Sequence, residues 1–129
     1  MEIDEVMERA EKYLREGNYE EAVKYFTKAL GLDSDYAKVY TGRGDAYSRL
    51  PGKNSKAIED FTKALKLNSK YTRAYCKRGD VYYLQKEYVK AINDYTKALE
   101  LNPKNIRIYN NRGLAYKKQR NTRKLQMTS

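Results

Sequence analysis

The stretch Ala74–Asn105, AYCKRGDVYYLQKEYVKAINDYTKALELNPKN, decides how this chain folds. In its second half, Ala91, Ile92, Tyr95, Ala98 and Leu99 recur at i, i+1, i+4, i+7 and i+8. At 3.6 residues per turn those positions share one face, so the spacing predicts an amphipathic helix. Ala74, Tyr75, Tyr82 and Tyr83 mark an earlier helix, and a short polar turn joins the two. Asn102-Pro103 ends the pair, because the residue before a proline is pushed out of the helical region.

Working outward, the same pattern recurs. Ala22, Val23, Phe26, Ala29 and Leu30 repeat it, as do Ala57, Ile58, Phe61, Ala64 and Leu65. Tyr13, Tyr47, Tyr82 and Tyr116 are spaced by 34, 35 and 34 residues, whereas Ala22, Ala57 and Ala91 are spaced by 35 and 34. One extra residue therefore falls between Tyr47 and Ala57, in the turn at Leu50-Pro51-Gly52. A fixed period near 34 is the mark of a stacked array of one supersecondary unit. The units are 3–36, 37–71 and 72–105. Residues 106–119 restart the first helix with Ile106, Tyr109, Gly113 and Tyr116 and would close the array as an unfinished fourth unit. The pattern fails after Gln119, and 120–129 reads as a basic, disordered tail. At the first turn, Asn18 followed by Glu21 suggests a capping box for the second helix.

The length of 129 residues is that of one domain. No apolar run reaches the length of a membrane span, and the acidic N-terminus MEIDEVMERAEKY lacks a signal-peptide core. Cys76 is the only cysteine and there is no histidine, which leaves no intramolecular disulfide and few catalytic or metal sites. A soluble, cytoplasmic protein without cofactor or metal is expected. The net charge of +10 is graded: residues 1–36 carry −5, 37–103 carry +7, and 104–129 carry eight bases and no acid. The basic C-terminal end will attract acidic partners in a salt-dependent way.

Gly44, Gly79 and Gly113 sit inside helices, with Ala10 at the matching place in the first unit. Each glycine costs roughly 1 kcal/mol against alanine. Small residues opposite Ala22, Ala57 and Ala91 imply that the paired helices cross closely.

These spacings resemble the tetratricopeptide repeat (TPR), whose signature places Trp, Leu-Gly, Tyr, Ala, Phe and Pro within 34 residues. Tyr40, Gly44, Tyr47, Ala57 and Phe61 match it, as do Tyr75, Gly79, Tyr82, Ala91, Tyr95 and Pro103. Val6, Ala10, Tyr13, Ala22 and Phe26 match more loosely, and Tyr109, Gly113 and Tyr116 open a fourth unit. The resemblance spans residues 3–119. It implies an all-α, right-handed α-solenoid of helix-turn-helix repeats with a C-terminal closing helix. The family usually has Leu before the helix glycine, whereas this chain has Arg9, Arg43, Arg78 and Arg112. Asp60 and Asp94 precede Phe61 and Tyr95, and an arginine in this position needs a carboxylate. Arg78 is expected within salt-bridge distance of Asp60 or Asp94.

The resemblance further implies that the first helices line a concave, peptide-binding groove. By offset from the helix glycine, the wall residues are Lys38, Thr41, Asp45 and Arg49, then Arg73, Cys76, Lys77, Asp80 and Tyr83. The closing helix contributes Arg107, Asn110, Asn111, Leu114 and Lys117, and the first unit Asp4, Met7, Glu11 and Leu14. Lys and Arg forks beside Asn amides suit carboxylate oxygens, so the expected function is a protein-interaction scaffold holding an acidic peptide. Of this set, Lys38, Asp45, Arg73, Lys77, Asp80, Tyr83, Arg107, Asn110, Asn111 and Lys117 are the candidate peptide-binding residues.

A narrower implication is the co-chaperone carboxylate clamp, which grips a C-terminal carboxylate. One register supplies only Arg73 and Lys77; shifted by a unit it supplies Lys77, Arg107 and Asn111 beside Thr41 and Asp45, so the clamp is incomplete both ways. A third reading is weak nucleic-acid binding by the basic C-terminal end. Tyr109 and Tyr116 could stack bases, but they lie on the core stripe and are expected to be buried, leaving only phosphate attraction. The unfinished fourth unit also offers an edge for self-association. No nucleophile–base set or Gly-rich phosphate loop is present, so no enzyme is expected.

Overall fold

In the computed structural model, which describes residues 2–128, the chain is all-α. The helices are α1 (Ile3–Arg15), α2 (Tyr19–Leu32), α3 (Ala37–Ser48), α4 (Asn54–Leu67), α5 (Thr72–Leu84), α6 (Tyr88–Leu101) and α7 (Ile106–Thr128). No strand occurs among the described residues, and no described helix is long and apolar enough to cross a membrane. Two compact units divide between Ala74 and Tyr75, inside α5.

In the first unit α1 packs on α2, α2 on α3, and α3 on α4. One cluster gathers Val6, Met7, Ala10, Ala22, Phe26, Ala29, Val39 and Ala46, and Ala57, Phe61 and Ala64 are also buried. In the second unit α6 packs on α7, around Ala91, Ile92, Tyr95, Ala98, Leu99, Ile108 and Ala115. The buried set largely follows the helical stripes read from the sequence, but Met7, Thr41, Asp45 and Cys76, expected on the groove wall, are buried. Each large ring put away contributes about 1.5–3 kcal/mol.

The glycines permit close packing, but the groups nearest them are aromatic rings. A Cβ on Gly44 would fall 2.7 Å from Phe61 Cε1, and one on Gly79 would fall 2.9 Å from Tyr95 Cε1. Beside each ring lies an arginine fork. Arg43 donates from Nε and Nη2 to both Asp60 oxygens, at 2.9 and 2.8 Å. Arg78 does the same to Asp94 at the same distances. Arg43 also stacks over Tyr40 and Tyr47, and Arg78 over Tyr75 and Tyr82, all within 6 Å. Burial pushes the Asp60 and Asp94 carboxyls up while the guanidinium bonds pull them down; the same bonds raise Arg43 and Arg78. In the first repeat Tyr25 stands in for the aspartate, and Arg9 Nη1 donates to its hydroxyl at 3.5 Å.

The turns differ from expectation at one point. Gly17, at φ +79°, closes α1 with the bonds Gly17 N–H to Leu14 O and Asn18 N–H to Tyr13 O. This left-handed cap is the reason glycine stands there. Asn18 is thereby committed to the end of α1; its side chain makes no cap bond to α2, and Glu21 pairs with Lys24 instead. Lys86 occupies the same left-handed position after α5, at φ 62°, with the equivalent pair of bonds. Residues 49–53 link α3 to α4, two more than link α1 to α2 or α5 to α6, which accommodates the extra residue of the period.

The C-terminal end also departs from expectation. Helix α7 runs on to Thr128, past Gln119, while Ser129 lies outside the described residues. Residues 120–128 contain no Gly or Pro and hold several good helix formers, so nothing local stops the helix. Tyr109 and Tyr116 are 44 % and 45 % exposed rather than buried. Their counterparts Tyr40 and Tyr47 are half-buried, in a repeat whose following helix, α4, completes the hairpin. The described residues include no helix after α7 to do the same.

Thermal melts of single variants test this packing. Gly79→Ala should destabilise, because Tyr95 cannot move away cheaply, whereas Gly113→Ala should stabilise by about 1 kcal/mol, since its Cβ would meet nothing within 4 Å. Lys86→Gly should stabilise by about 1 kcal/mol by relieving the left-handed backbone. Arg78→Ala should cost about 3–5 kcal/mol by stranding Asp94, and Arg78→Met with Asp94→Leu should recover most of it. The Arg78→Ala deficit should also shrink on acidification. A carboxyl raised in the folded state is accommodated best when protonated and loses that stability as pH rises through its folded value.

Candidate functional site

Residues at helical spacing build one pocket in the second unit. Asp80, Tyr83 and Leu84 come from α5, Tyr95 from α6, and Arg107, Asn111 and Leu114 from α7. They line an open pocket of about 290 Å³. At its centre the Asp80 Oδ1 accepts a 2.6 Å bond from the Tyr95 hydroxyl and a 3.4 Å bond from Asn111 Nδ2. Arg107 Nη2 approaches Asp80 Oδ2 at 3.6 Å and remains largely exposed, at 69 %. Burial, and then the bond to Asp80, raise the Tyr95 phenol far above its ordinary value, so it stays a donor. Tyr83, Leu84 and Leu114 supply apolar wall around these charges, and Tyr83 rests edge-on against Tyr88.

Cys76, expected on the wall, is buried beneath it. Burial and the nearby Asp80 push its thiol up, against smaller opposite effects of Arg107 and Lys77. It is therefore a core residue and a poor nucleophile.

The first unit has its own pocket of about 340 Å³, lined by Glu11, Leu14, Arg15, Phe26, Lys38, Thr41, Gly42, Tyr71 and Arg73. Most of its charges are mutually engaged, although Arg15 makes no ion pair among the described residues. Lys38 lies 3.3 Å from Glu11, and the buried Asp45 lies 3.6 Å from Arg49 and 3.8 Å from Arg73. Thr41 is buried and donates to Ala37 O.

The structure thus brings Asp80, Tyr83, Arg107 and Asn111 to one pocket and Lys38 and Arg73 to another, with Asp45 buried beneath Arg73. Lys77 is half-buried, and Asn110 and Lys117 are exposed on α7; none of the three lines either pocket. Sequence reasoning missed Tyr95, Leu84, Arg15 and Tyr71. For Tyr95 a signal existed: the other repeats have Phe26 and Phe61 at that place, and the added hydroxyl is what reaches Asp80.

Helical hairpins repeated at a 34-residue period, with pockets between first helices, define a tandem-repeat protein of the helix-turn-helix kind. The family model described as TPR repeat matches residues 10–50, 51–86 and 79–119. The chain belongs to the TPR family. Comparison with curated proteins gives no match. Among solved structures, the chain is similar to the first TPR of Spaghetti (RPAP3) bound to the HSP90 peptide SRMEEVD, at 32% identity and TM-score 0.85 over 89% of this chain and 90% of that one. It is similar to the first TPR domain of human RPAP3, at 31% identity and TM-score 0.87 over 92% and 93%. It is also similar to the second TPR domain of human RPAP3 in complex with the HSP70 peptide SGPTIEEVD, at 25% identity and TM-score 0.80 over 86% and 92%.

Proposed function

We propose that this chain is a peptide-binding interaction scaffold and that the pocket between α5 and α7 seats an acidic segment of the partner. The observation that carries the reading is the state of Arg107. Its guanidinium stands at the mouth of an open pocket, held to Asp80 only by a 3.6 Å approach and mostly in solvent. A carboxylate arriving from a peptide can take that fork bidentately, which a loose, exposed ion pair resists weakly. Asn111 offers a second donor, and the wall of Tyr83, Leu84 and Leu114 takes an apolar neighbour. The absence of any acid among residues 104–129 favours an acidic partner over a basic one. The similar domains bound to SRMEEVD and SGPTIEEVD support an acidic peptide as ligand.

Asp80 works against such a ligand, so it sets the affinity. Tyr95 and Asn111 hold its carboxylate in place, and its charge offsets part of the attraction of Arg107. The seat therefore reads a carboxylate only where the peptide displaces Arg107 from Asp80.

Fluorescence anisotropy with labelled SRMEEVD, titrated with the whole chain, tests the proposal. Arg107→Glu should weaken binding by about tenfold or more, and Asp80→Asn should tighten it several-fold, because asparagine still accepts from Tyr95 but releases Arg107. Affinity unaltered by Arg107→Glu would refute the seat. The same peptide ending in an amide separates side-chain acids from a terminal carboxylate: loss with the amide assigns the terminal group.

A further inference from the structure

The arginine socket that each hairpin fills from within is left open on α7. In the first unit Arg43 lies over two tyrosines, donates to Thr27 at 3.2 Å and grips Asp60, while Gly44 receives the ring of Phe61. In the second unit Arg78 grips Asp94 and Gly79 receives Tyr95. Arg112 repeats the first half of this arrangement. It lies 5.5 Å over Tyr109 and donates to Thr96 Oγ1 at 3.2 Å. The second half is missing: among the described residues it has no carboxylate partner, and a Cβ on Gly113 would meet nothing within 4 Å. Tyr109 and Tyr116 flank the gap, and Met127 continues the same helical stripe, all exposed.

We propose that this face of α7 docks an acidic amphipathic helix of another protein, which sets an Asp on Arg112 and the aromatic residue after it on Gly113. The ligand's chemistry is written twice in the chain. Asp60-Phe61 lies between Ala57 and Ala64, and Asp94-Tyr95 between Ala91 and Ala98. In both, the aspartate closes the fork, the aromatic fills the space above glycine, and the alanines let the helices approach. Charge decides against a second copy of this chain. Its own Asp-aromatic pairs are already buried, and two copies of the stretch 104–129, each with eight bases and no acid, repel one another. The exposed Arg120 and Arg123 lie along the same stripe, where glutamates flanking the partner's apolar face would meet them. The face is distinct from the Asp80 pocket, to which α7 contributes Arg107, Asn111 and Leu114.

A synthetic helix of about 16 residues, patterned Ala-x-x-Asp-Phe-x-x-Ala-Leu with glutamates at its outer positions, is the probe. It is titrated into the whole chain by anisotropy, and the tyrosine resonances are followed by NMR. Binding with shifts at Tyr109 and Tyr116, weakened about tenfold or more by Asp→Asn or Phe→Ala in the peptide, supports the proposal. Gly113→Leu occupies the open space and should weaken binding by a similar factor while helix content and melting temperature are kept or raised. Absence of binding, or affinity indifferent to Gly113→Leu, overturns it. So does a concentration-dependent dimer lost in Gly113→Leu, which would assign the face to a second copy. Tighter binding of a single-stranded oligonucleotide than of the helix, with the tyrosines quenched, also overturns it and makes the face a stacking platform.

Discussion

The structure depends on a close crossing of paired helices, made where an aromatic ring lies against a helix glycine and an arginine fork closes on the aspartate beside it. The ring supplies apolar burial, and the glycine is what lets it in. The fork satisfies two groups that would each be costly alone. A largely buried, bidentate pair contributes little net stability compared with apolar replacements, yet its breakage is expensive. Its value here lies in register: an arginine flanked by two tyrosines accepts its aspartate in one alignment of the two helices.

That constraint explains how the repeats vary. The first has Tyr25 and its hydroxyl where the others have Asp60 and Asp94, so its arginine makes a weaker, neutral bond. The second and third have the full fork. The third changes Phe to Tyr95, and the extra hydroxyl leaves the core to hold Asp80 in the pocket. One atom thus couples the ring that secures the hairpin to the charge that shapes the site. The fourth has the arginine, the tyrosines and the glycine, and meets no following helix among the described residues.

Electrostatics in the pockets differ from what formal charge suggests. The chain carries a net charge of +10, but several bases that line its pockets are already engaged. Lys38 meets Glu11, Arg73 meets Asp45, and Arg107 meets Asp80. A ligand must compete with these pairs, and the exposed, poorly aligned ones yield most easily.

The helices, their order and the buried stripes were legible in the sequence, because a 3.6-residue apolar period and a 34-residue repeat are properties of spacing alone. So was the need of Arg78 for Asp60 or Asp94, since a carboxylate one residue before each buried ring was the natural partner for an arginine; packing chose Asp94. Composition likewise placed the excess of positive charge at the C-terminal end. Only the tertiary structure decided that Met7 and Cys76 turn inward, that Asn18 serves the helix before it and not the one after, and that Tyr109 and Tyr116 stay exposed. It alone gathered Asp80, Tyr95, Arg107 and Asn111 into one pocket from three helices. Spacing says which face of a helix is apolar; what lies opposite that face, and whether anything does, is settled by packing between segments distant in the chain.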